Sequence, residues 1–308
     1  MRCIFLYNPI SGKGKIEKKV EYIKTQLLKK FNVVDIYETQ SREDMINKAY
    51  DACNIYDYII FSGGDGTFND ICNCVSNHTK RPILGYIPSG TANDIAKNLK
   101  ISRNIKKAVD VIINGKVIKH DVGMINDRYF MYVCGCGTFT SVSYKTSQKW
   151  KKRFKTLAYA FDGMKDLFSP TLVNAKITID DQIIENKSPL ILILNSKSIG
   201  GVSFNKRGHL NDGYFDIVVC KKFWSYIGGI VHLIIIGTFK GRDHTRYYDF
   251  YRGSNIKIEV DDNITWCVDG EKGPSGSVNI KNISKHLNII VPKKNKLFIE
   301  EENENNSR

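Results

Sequence analysis

Four stretches of this chain combine glycine with hydroxyl, amide or carboxylate side chains in patterns that can do chemistry. In the richest of them, Tyr58-Ile59-Ile60-Phe61 reads as a buried strand that runs into Gly63-Gly64-Asp65-Gly66-Thr67. Phe68, Ile71, Cys72 and Val75 follow at helical spacing. The glycines let backbone N–H groups turn inward without a Cβ in the way, and the amides and dipole of the following helix face the same point. Both features suit a phosphate. A carboxylate inside such a cradle repels phosphate unless a cation lies between them, so Asp65 points to Mg2+ and a nucleotide. The plainer reading is a tight turn in which Asp65 caps the helix that follows it, with Thr67 and Asn69 as further caps.

Pro88-Ser89-Gly90-Thr91-Ala92-Asn93-Asp94 leaves the apolar run Ile83–Ile87 in the same way. Two such turns at neighbouring strand ends bring Asp65 and Asp94 towards one metal–phosphate site, and hard cations such as Mg2+ prefer oxygen ligands. Asn8-Pro9-Ile10-Ser11-Gly12-Lys13-Gly14 follows the first apolar run, with Lys15 close by. It suits a phosphate, although Gly and Ser turns after strands are common, and no Gly-Lys-Ser/Thr closes it into a P-loop. The fourth stretch, Val268-Asp269-Gly270-Glu271, is an Asp-Gly hairpin by spacing alone. A carboxylate on such a turn can also serve as a general base towards a hydroxyl.

These turns need strand ends to hold them. Cys3–Tyr7, Val33–Tyr37, Tyr58–Phe61 and Ile83–Ile87 read as strands. They alternate with helical spacing at Ile16, Val20, Ile23, Leu27 and Phe31, at Met45, Ile46, Ala49 and Cys53, and over Asp94–Leu99 and Ile105–Ile113. That rhythm predicts an open α/β sheet of mostly parallel strands, with ligands beyond their carboxyl ends. Past about residue 122 short β-like runs dominate: Tyr129–Val133, Ala175–Ile179, Leu190–Leu194, Phe215–Cys220, Ile256–Val260, Val278–Ile280 and Leu287–Val291. They predict an antiparallel β-sandwich or barrel-like domain. The expected fold class is therefore α/β plus all-β, with a nucleotide-binding domain over 1–122, a β-rich domain over 123–292, and the active site in the cleft between them. A helical insert over about 145–168 and an acidic, Asn-rich tail from Glu300 to Arg308 complete the chain.

Composition narrows the partners. A 42% hydrophobic and 25% charged chain of 308 residues is an ordinary globular protein, but a formal net charge of +14 is not ordinary. It favours an anionic partner: nucleotide, nucleic acid or an acidic membrane surface. Lysine outnumbers arginine and no RNA-binding signature or zinc-finger spacing occurs, which disfavours nucleic acid. Of the eight cysteines, Cys3, Cys134 and Cys220 sit inside apolar runs, and neither Cys72/Cys74 nor Cys134/Cys136 has a structural zinc spacing. Reduced thiols in a cytoplasmic protein are expected. The start, MRCIFLYNP, turns polar too soon for a secretory signal. Phe223–Phe239 is apolar but shorter than the roughly 20 residues that cross a bilayer, and it reads as a core segment or a helix lying on a membrane surface.

Taken in order, NPISGKG (8–14), GGDGTFND (63–70), PSGTANDIA (88–96) and DGE (269–271) resemble the diacylglycerol kinase catalytic-domain family, and most closely its soluble bacterial lipid-kinase branch. GGDGT alone is shared with NAD kinases and phosphofructokinases. The Gly-Thr-Ala-Asn-Asp helix start and the NPxSG turn disfavour the NAD kinases. The resemblance implies ATP- and Mg2+-dependent phosphorylation of a lipid hydroxyl, with diacylglycerol as the first choice of acceptor and phosphatidic acid as product. It also implies that the chain's end, 293–308, returns to the first domain. Carried over by motif, Asn8, Ser11, Gly12, Thr39, Gly63, Gly64, Asp65, Gly66, Thr67, Phe68, Asn69 and Thr91 hold ATP. Asp65 and Asp94 organise Mg2+ and phosphates, and Glu271 accepts the proton of the acceptor hydroxyl.

The family also carries a structural Mg2+ beside an L-D-D-G-Y/F stretch. Here the stretch is Leu210-Asn211-Asp212-Gly213-Tyr214-Phe215-Asp216, so Asn211, Tyr214 and Asp216 are the candidate ligands. Asn211 stands where Asp is usual, and the missing charge weakens that site. Several questions stay open. Sphingoid bases, phosphatidylglycerol and polyprenols also present a hydroxyl, and a non-catalytic nucleotide or lipid sensor could keep the same motifs. Lys149-Trp150-Lys151-Lys152-Arg153-Phe154-Lys155 is either a solvated basic helix or a patch that holds the protein transiently at an anionic membrane. The resulting expectation is a cytoplasmic protein, peripheral at the membrane, whose edge strands allow a homodimer.

Overall fold

In the computed structural model the described residues are 1–138, 172–196, 198–199, 202–203, 208–221, 248–295 and 298. The chain divides into two compact units, Met1–Asp121 with His209–Gly213 and Ser284–Arg308, and Val122–Gly208 with Tyr214–Ile283. The Phe223–Phe239 segment, the insert over 145–168 with its basic patch, and the tail from Glu300 lie outside the described residues.

The first unit alternates strand and helix: β1 (Arg2–Tyr7), α1 (Val20–Leu27), β2 (Val33–Glu38), α2 (Arg42–Ile55), β3 (Tyr58–Gly63), α3 (Asp65–Ser76), β4 (Ile83–Pro88), α4 (Asp94–Asn98) and α5 (Ile105–Asn114). Its strands lie parallel in the order β2-β1-β3-β4. Cys3–Leu6 and Ile59–Phe61 are buried throughout, which is why they appear in sequence as unbroken apolar runs rather than alternating ones. Ser41 caps α2 through the Asp44 N–H (3.0 Å), and Asn104 caps α5 through the Lys107 N–H (3.3 Å). Helix α1 is shorter than the periodicity from Ile16 to Phe31 predicts. Gly12 and Gly14 take positive φ, so the chain makes short 3-10 turns over 11–14 and 17–19 before the helix begins. Phe31 lies past the helix end and is buried all the same.

The chain enters the second unit within β5 (Lys116–Ile125) and continues through β6 (Arg128–Phe130), β7 (Val133–Gly137), β8 (Val173–Ile179), β9 (Gln182–Ser188), β10 (Leu190–Leu194) and the short pair β11 (Ser198–Ile199) and β12 (Val202–Ser203). Strands β13 (Phe215–Cys220), β14 (Tyr248–Gly253), β15 (Asn255–Glu259), β16 (Thr265–Val268), β17 (Glu271–Ser275) and β18 (Val278–Val291) follow. One antiparallel sheet has the order β14-β13-β10-β7-β16-β17, and the start of β18 pairs with β15, which leads on to β8 and β9. Both sheets feed one core that includes Phe130, Ile177, Ile191, Phe215, Ile258 and Trp266. Strand β8 alternates buried and exposed along its length, as a strand with one face on the core must.

Two details depart from the sequence expectation. The single strand expected over Tyr129–Val133 is broken between β6 and β7, because the amides of 131–133 turn to the Asp269 carboxylate. The two short runs at 278–280 and 287–291 belong to one 14-residue strand, β18. That strand carries a left-handed residue, Lys285 (φ 53°), whose N–H donates to Asp121 Oδ1 at 2.7 Å. Its later part, in the first unit, places Ile289 opposite Leu84 of β4. The cysteines are buried thiols without disulfides, and burial pushes those of Cys3, Cys74, Cys136 and Cys220 up to about 12. Among the described residues, no helix is long and apolar enough to cross a membrane.

Candidate active site

Only Gly64 separates β3 from α3, so the glycine turn is a strand running almost directly into a helix. Gly63, Gly64 and Gly66 have no positive φ. What Gly63, and Gly90 in the neighbouring turn, supply is space. A Cβ on Gly63 would lie 2.3 Å from the Thr67 Cβ, and a Cβ on Gly90 would lie 2.4 Å from the Gly64 Cα and 2.8 Å from Asn93 Oδ1. The turns after β3 and β4 are thus pressed backbone to backbone, an approach closed to any larger residue. Gly64 is the N-cap of α3 and has no side chain with which to cap it.

Asp65 caps a different helix from the one expected. Its Oδ1 accepts the N–H of Ile95 at 2.9 Å, at the start of α4. Asn93, the α4 N-cap, is left-handed (φ 51°, ψ 50°) and makes no side-chain cap of its own, which leaves those amides to Asp65. Burial raises the Asp65 carboxyl above its usual range, Asp94's charge adds to the rise, and the amides of 93–95 oppose it. Asp94 Oδ1 accepts from Lys97 Nζ at 2.7 Å.

The turn after β1 joins this pair. Ser11 Oγ lies 2.6 Å from Ser89 Oγ, which also accepts from Ser62 Oγ at 3.0 Å. Gly12, at φ +61°, packs against the Ser89 carbonyl. Asn8 Oδ1 accepts the Ile10 N–H at 3.0 Å and so shapes the turn itself. Thr39, just past β2, is buried, and its hydroxyl and N–H both donate to the Tyr7 carbonyl (3.2 and 2.9 Å). Asn8, Ser11, Gly12, Thr39, Gly63–Thr67 and Thr91 therefore collect on the carboxyl-end loops of one sheet. Thr91 is exposed and Thr67 half-buried. Phe68 and Asn69 differ. Phe68 is wholly buried against Phe61 and Tyr86, and Asn69 is buried, with its carbonyl and Oδ1 both accepting from Asn73 Nδ2 (3.0 Å each).

Several supports lie outside the expected site residues. Tyr86 Oη donates to the Gly63 carbonyl at 3.1 Å, and Asn93 Nδ2 donates to the Gly90 carbonyl at 2.8 Å. Arg103 Nη2 donates to the Thr91 carbonyl at 2.9 Å, and Arg42 grips Asp70 with two bonds of 2.7 and 2.6 Å. Asn93 had a detectable signal, since Asn tolerates the left-handed region. Arg103 had none.

In the second unit, Asp269 and Gly270 (φ 49° and 83°) form the two-residue turn between β16 and β17, flanked by the pair Val268 and Glu271. The buried Asp269 carboxylate accepts the N–H groups of Met131 (2.6 Å), Tyr132 (3.0 Å) and Val133 (3.0 Å). Burial lifts its carboxyl to about 6, against the pull of those amides and of Arg128. Glu271 is one third exposed, and its Oε2 accepts from Arg128 Nη2 at 2.9 Å.

Of the expected structural-metal residues, Asn211 is buried in the first unit, Asp216 is buried on β13 opposite Arg252 of β14, and Tyr214 is 47% exposed beneath the Arg252 guanidinium. The 209–213 segment is held by a residue that the sequence did not single out. The buried Asp121 accepts the Gly213 N–H at 2.6 Å. Among the described residues, no three His, Cys, Asp or Glu side chains gather as a metal cluster.

The comparisons with known proteins agree with this geometry. Residues 2–125 match the diacylglycerol kinase catalytic domain, and residues 136–291 match the YegS C-terminal NAD kinase beta sandwich-like domain. A diacylglycerol kinase of Staphylococcus carnosus (strain TM300) is 32% identical over 298 residues, 95% of each chain. One of Bacillus subtilis (strain 168) is 32% identical over 305 residues, 95% of this chain and 97% of its own. The crystal structure of a diacylglycerol kinase from Bacillus anthracis str. Sterne shares the fold at a TM-score of 0.77 and 23% identity, covering 97% of this chain and 98% of that one. With motifs, strand-end turns and both domains in agreement, the chain belongs to the diacylglycerol kinase catalytic-domain family, in its two-domain bacterial lipid-kinase branch.

Proposed function

We propose that this protein transfers the γ-phosphate of ATP to the hydroxyl of diacylglycerol, giving phosphatidic acid, with Mg2+ on the nucleotide phosphates. The observation that carries the reading is the meeting of three turns at the carboxyl ends of β1, β3 and β4, pressed together through Gly12, Gly64 and Gly90. Beside them stands the start of α3, whose N-cap, Gly64, has no side chain to cap it, and a phosphate suits such a helix end. Asn8, Ser11, Gly12, Thr39, Gly63–Asn69 and Thr91 hold the nucleotide in this scheme, with Phe68 and Asn69 acting through the backbone and packing of α3.

The donor set fits Mg2+. Asp65 and Asp94 offer hard oxygens, with Asp65 accepting from the Ile95 N–H and Asp94 from Lys97 Nζ. A cation there draws most of its ligands from phosphate and water, the usual arrangement for this ion. When bound, it neutralises charge on the transferring phosphoryl group. Glu271 accepts the proton of the attacking hydroxyl. Asn211, Tyr214 and Asp216 form a second cation site of structural purpose, weakened by the amide at 211. The net charge of +14 supports a transient approach to anionic membrane, with the Lys149–Lys155 stretch as the contact and a homodimer compatible with the scheme.

Incubating the purified protein with γ-labelled ATP, Mg2+ and detergent-dispersed lipids tests the reading. Label in phosphatidic acid is the expected result. Label in a sphingoid base, phosphatidylglycerol or a polyprenol keeps the kinase and changes the acceptor. No label in any lipid, with ATP still bound, points to a sensor.

A further inference from the structure

We infer that Arg128 is a positioning residue for the transfer, holding the Glu271 carboxylate and offsetting its charge where the phosphoryl group must pass; this rests on Glu271 being the base. Arg128 opens β6 directly after the Asn126-Asp127 turn, with Ile125 as its cross-strand neighbour. Its guanidinium forks: Nη2 donates to Glu271 Oε2 at 2.9 Å, and Nη1 donates to the Lys272 carbonyl at 3.0 Å. One side chain thus fixes both the carboxylate and the backbone next to it.

Both mounts of this pair are rigid. On the Arg128 side, the left-handed Asn126 is tied to β18, its N–H donating to the Asn279 carbonyl (2.8 Å) and its Oδ1 accepting the Asn279 N–H (3.0 Å). On the Glu271 side, Asp269 is bound by the amides of 131–133 and donates its own N–H to the Val133 carbonyl at 2.8 Å. A third of each side chain of the pair faces solvent, so the ion pair adds little to folding. Its geometry serves the chemistry better than the fold. A carboxylate that meets the attacking hydroxyl also meets the anionic γ-phosphoryl group, and the two repel. A planar cation fixed beside the carboxylate removes much of that repulsion, and it keeps the carboxylate in one orientation.

The test is steady-state transfer by Arg128→Ala, Glu271→Gln and the double variant, with ATP varied. Arg128→Ala should lower kcat about 100-fold while leaving KM for ATP within about 3-fold. Arg128→Lys should regain part of the loss, since it restores charge without the fork, and guanidinium ion should partly rescue Arg128→Ala. In the Glu271→Gln background, removing Arg128 should cost nothing further, because it acts through Glu271. Arg128→Met keeps the aliphatic stem and gives the same readout if the alanine variant does not fold. Unchanged kcat in Arg128→Ala or Arg128→Met, or losses that multiply in the double variant, overturns the role of Arg128. Wild-type transfer by Glu271→Gln removes instead the base on which it depends.

Discussion

The two units hold their carboxylates in opposite ways. In the α/β unit, Asp65 is drawn into the structure, capping α4 while glycines bring three turns into contact. In the β unit the carboxylate drawn in is Asp269, bonded by three amides, and Glu271 two residues later is held by an arginine at a partly exposed position. In the β unit a buried carboxylate that shapes the turn thus stands two residues from one that stays partly exposed. In the first unit Asp65 caps a helix and also stands among the residues proposed to hold the nucleotide, so its structural and proposed chemical roles coincide. In the second they are separated onto neighbouring positions of one hairpin.

Asp65→Asn tests that coincidence and should show a large effect. The amide oxygen can still accept the Ile95 N–H, so α4 keeps its cap, whereas the charge proposed to organise Mg2+ and phosphate is gone. Transfer should fall about 100- to 1,000-fold while thermal unfolding moves by only a few degrees. Retained activity would show that Asp65 only builds.

Asp269 gives the next effect, and it concerns stability. Its carboxyl lies at about 6 in the fold against 3.8 for the free side chain, so the folded state holds the proton more tightly. Between those values the native protein binds more protons than the unfolded chain, and stability falls as pH rises. The contribution is complete below about pH 4 and is lost by about pH 6, amounting to about 3 kcal/mol. Asp65 and Asp121, also raised by burial, act in the same direction. Urea unfolding across this range should show the decline, and Asp269→Asn should flatten it. A rise in stability over the same range would mean that the amides, not burial, dominate.

Gly90→Ala sharpens the other half. The new Cβ meets backbone at 2.4 Å, so the two turns must part, at about 2 kcal/mol and with weaker ATP binding in a nucleotide titration. Smaller still is Arg42→Ala. It removes a bidentate grip on Asp70 from a mostly exposed arginine and should lower stability by about 1 kcal/mol in the same urea assay, with transfer nearly unchanged.

The α/β half was far more legible in the sequence than the β half. Apolar runs, glycine turns and helical spacing act over a few residues, so β1 to β4 and the turns after β1, β3 and β4 could be read locally. Motif spelling did not give the partner of Asp65, because the amides it caps belong to a helix 30 residues away that is brought close only by parallel strand order. The break between β6 and β7 was hidden for the same reason, as its cause lies 138 residues downstream in Asp269. Arg128, Arg103 and Tyr86 were silent because an arginine or tyrosine bonding to distant backbone leaves no pattern along the chain. The second sheet was visible as strands, but which of its turns carried chemistry became clear only through the resemblance of Asp269-Gly270-Glu271 to a known motif.

The division between building and acting carboxylates is tested most directly by Glu271→Gln in a single-turnover assay with labelled ATP, Mg2+ and diacylglycerol. The variant should bind ATP as tightly as the wild type and lose transfer by about 1,000-fold. Transfer at the wild-type rate would contradict the account and leave the hairpin a structural turn.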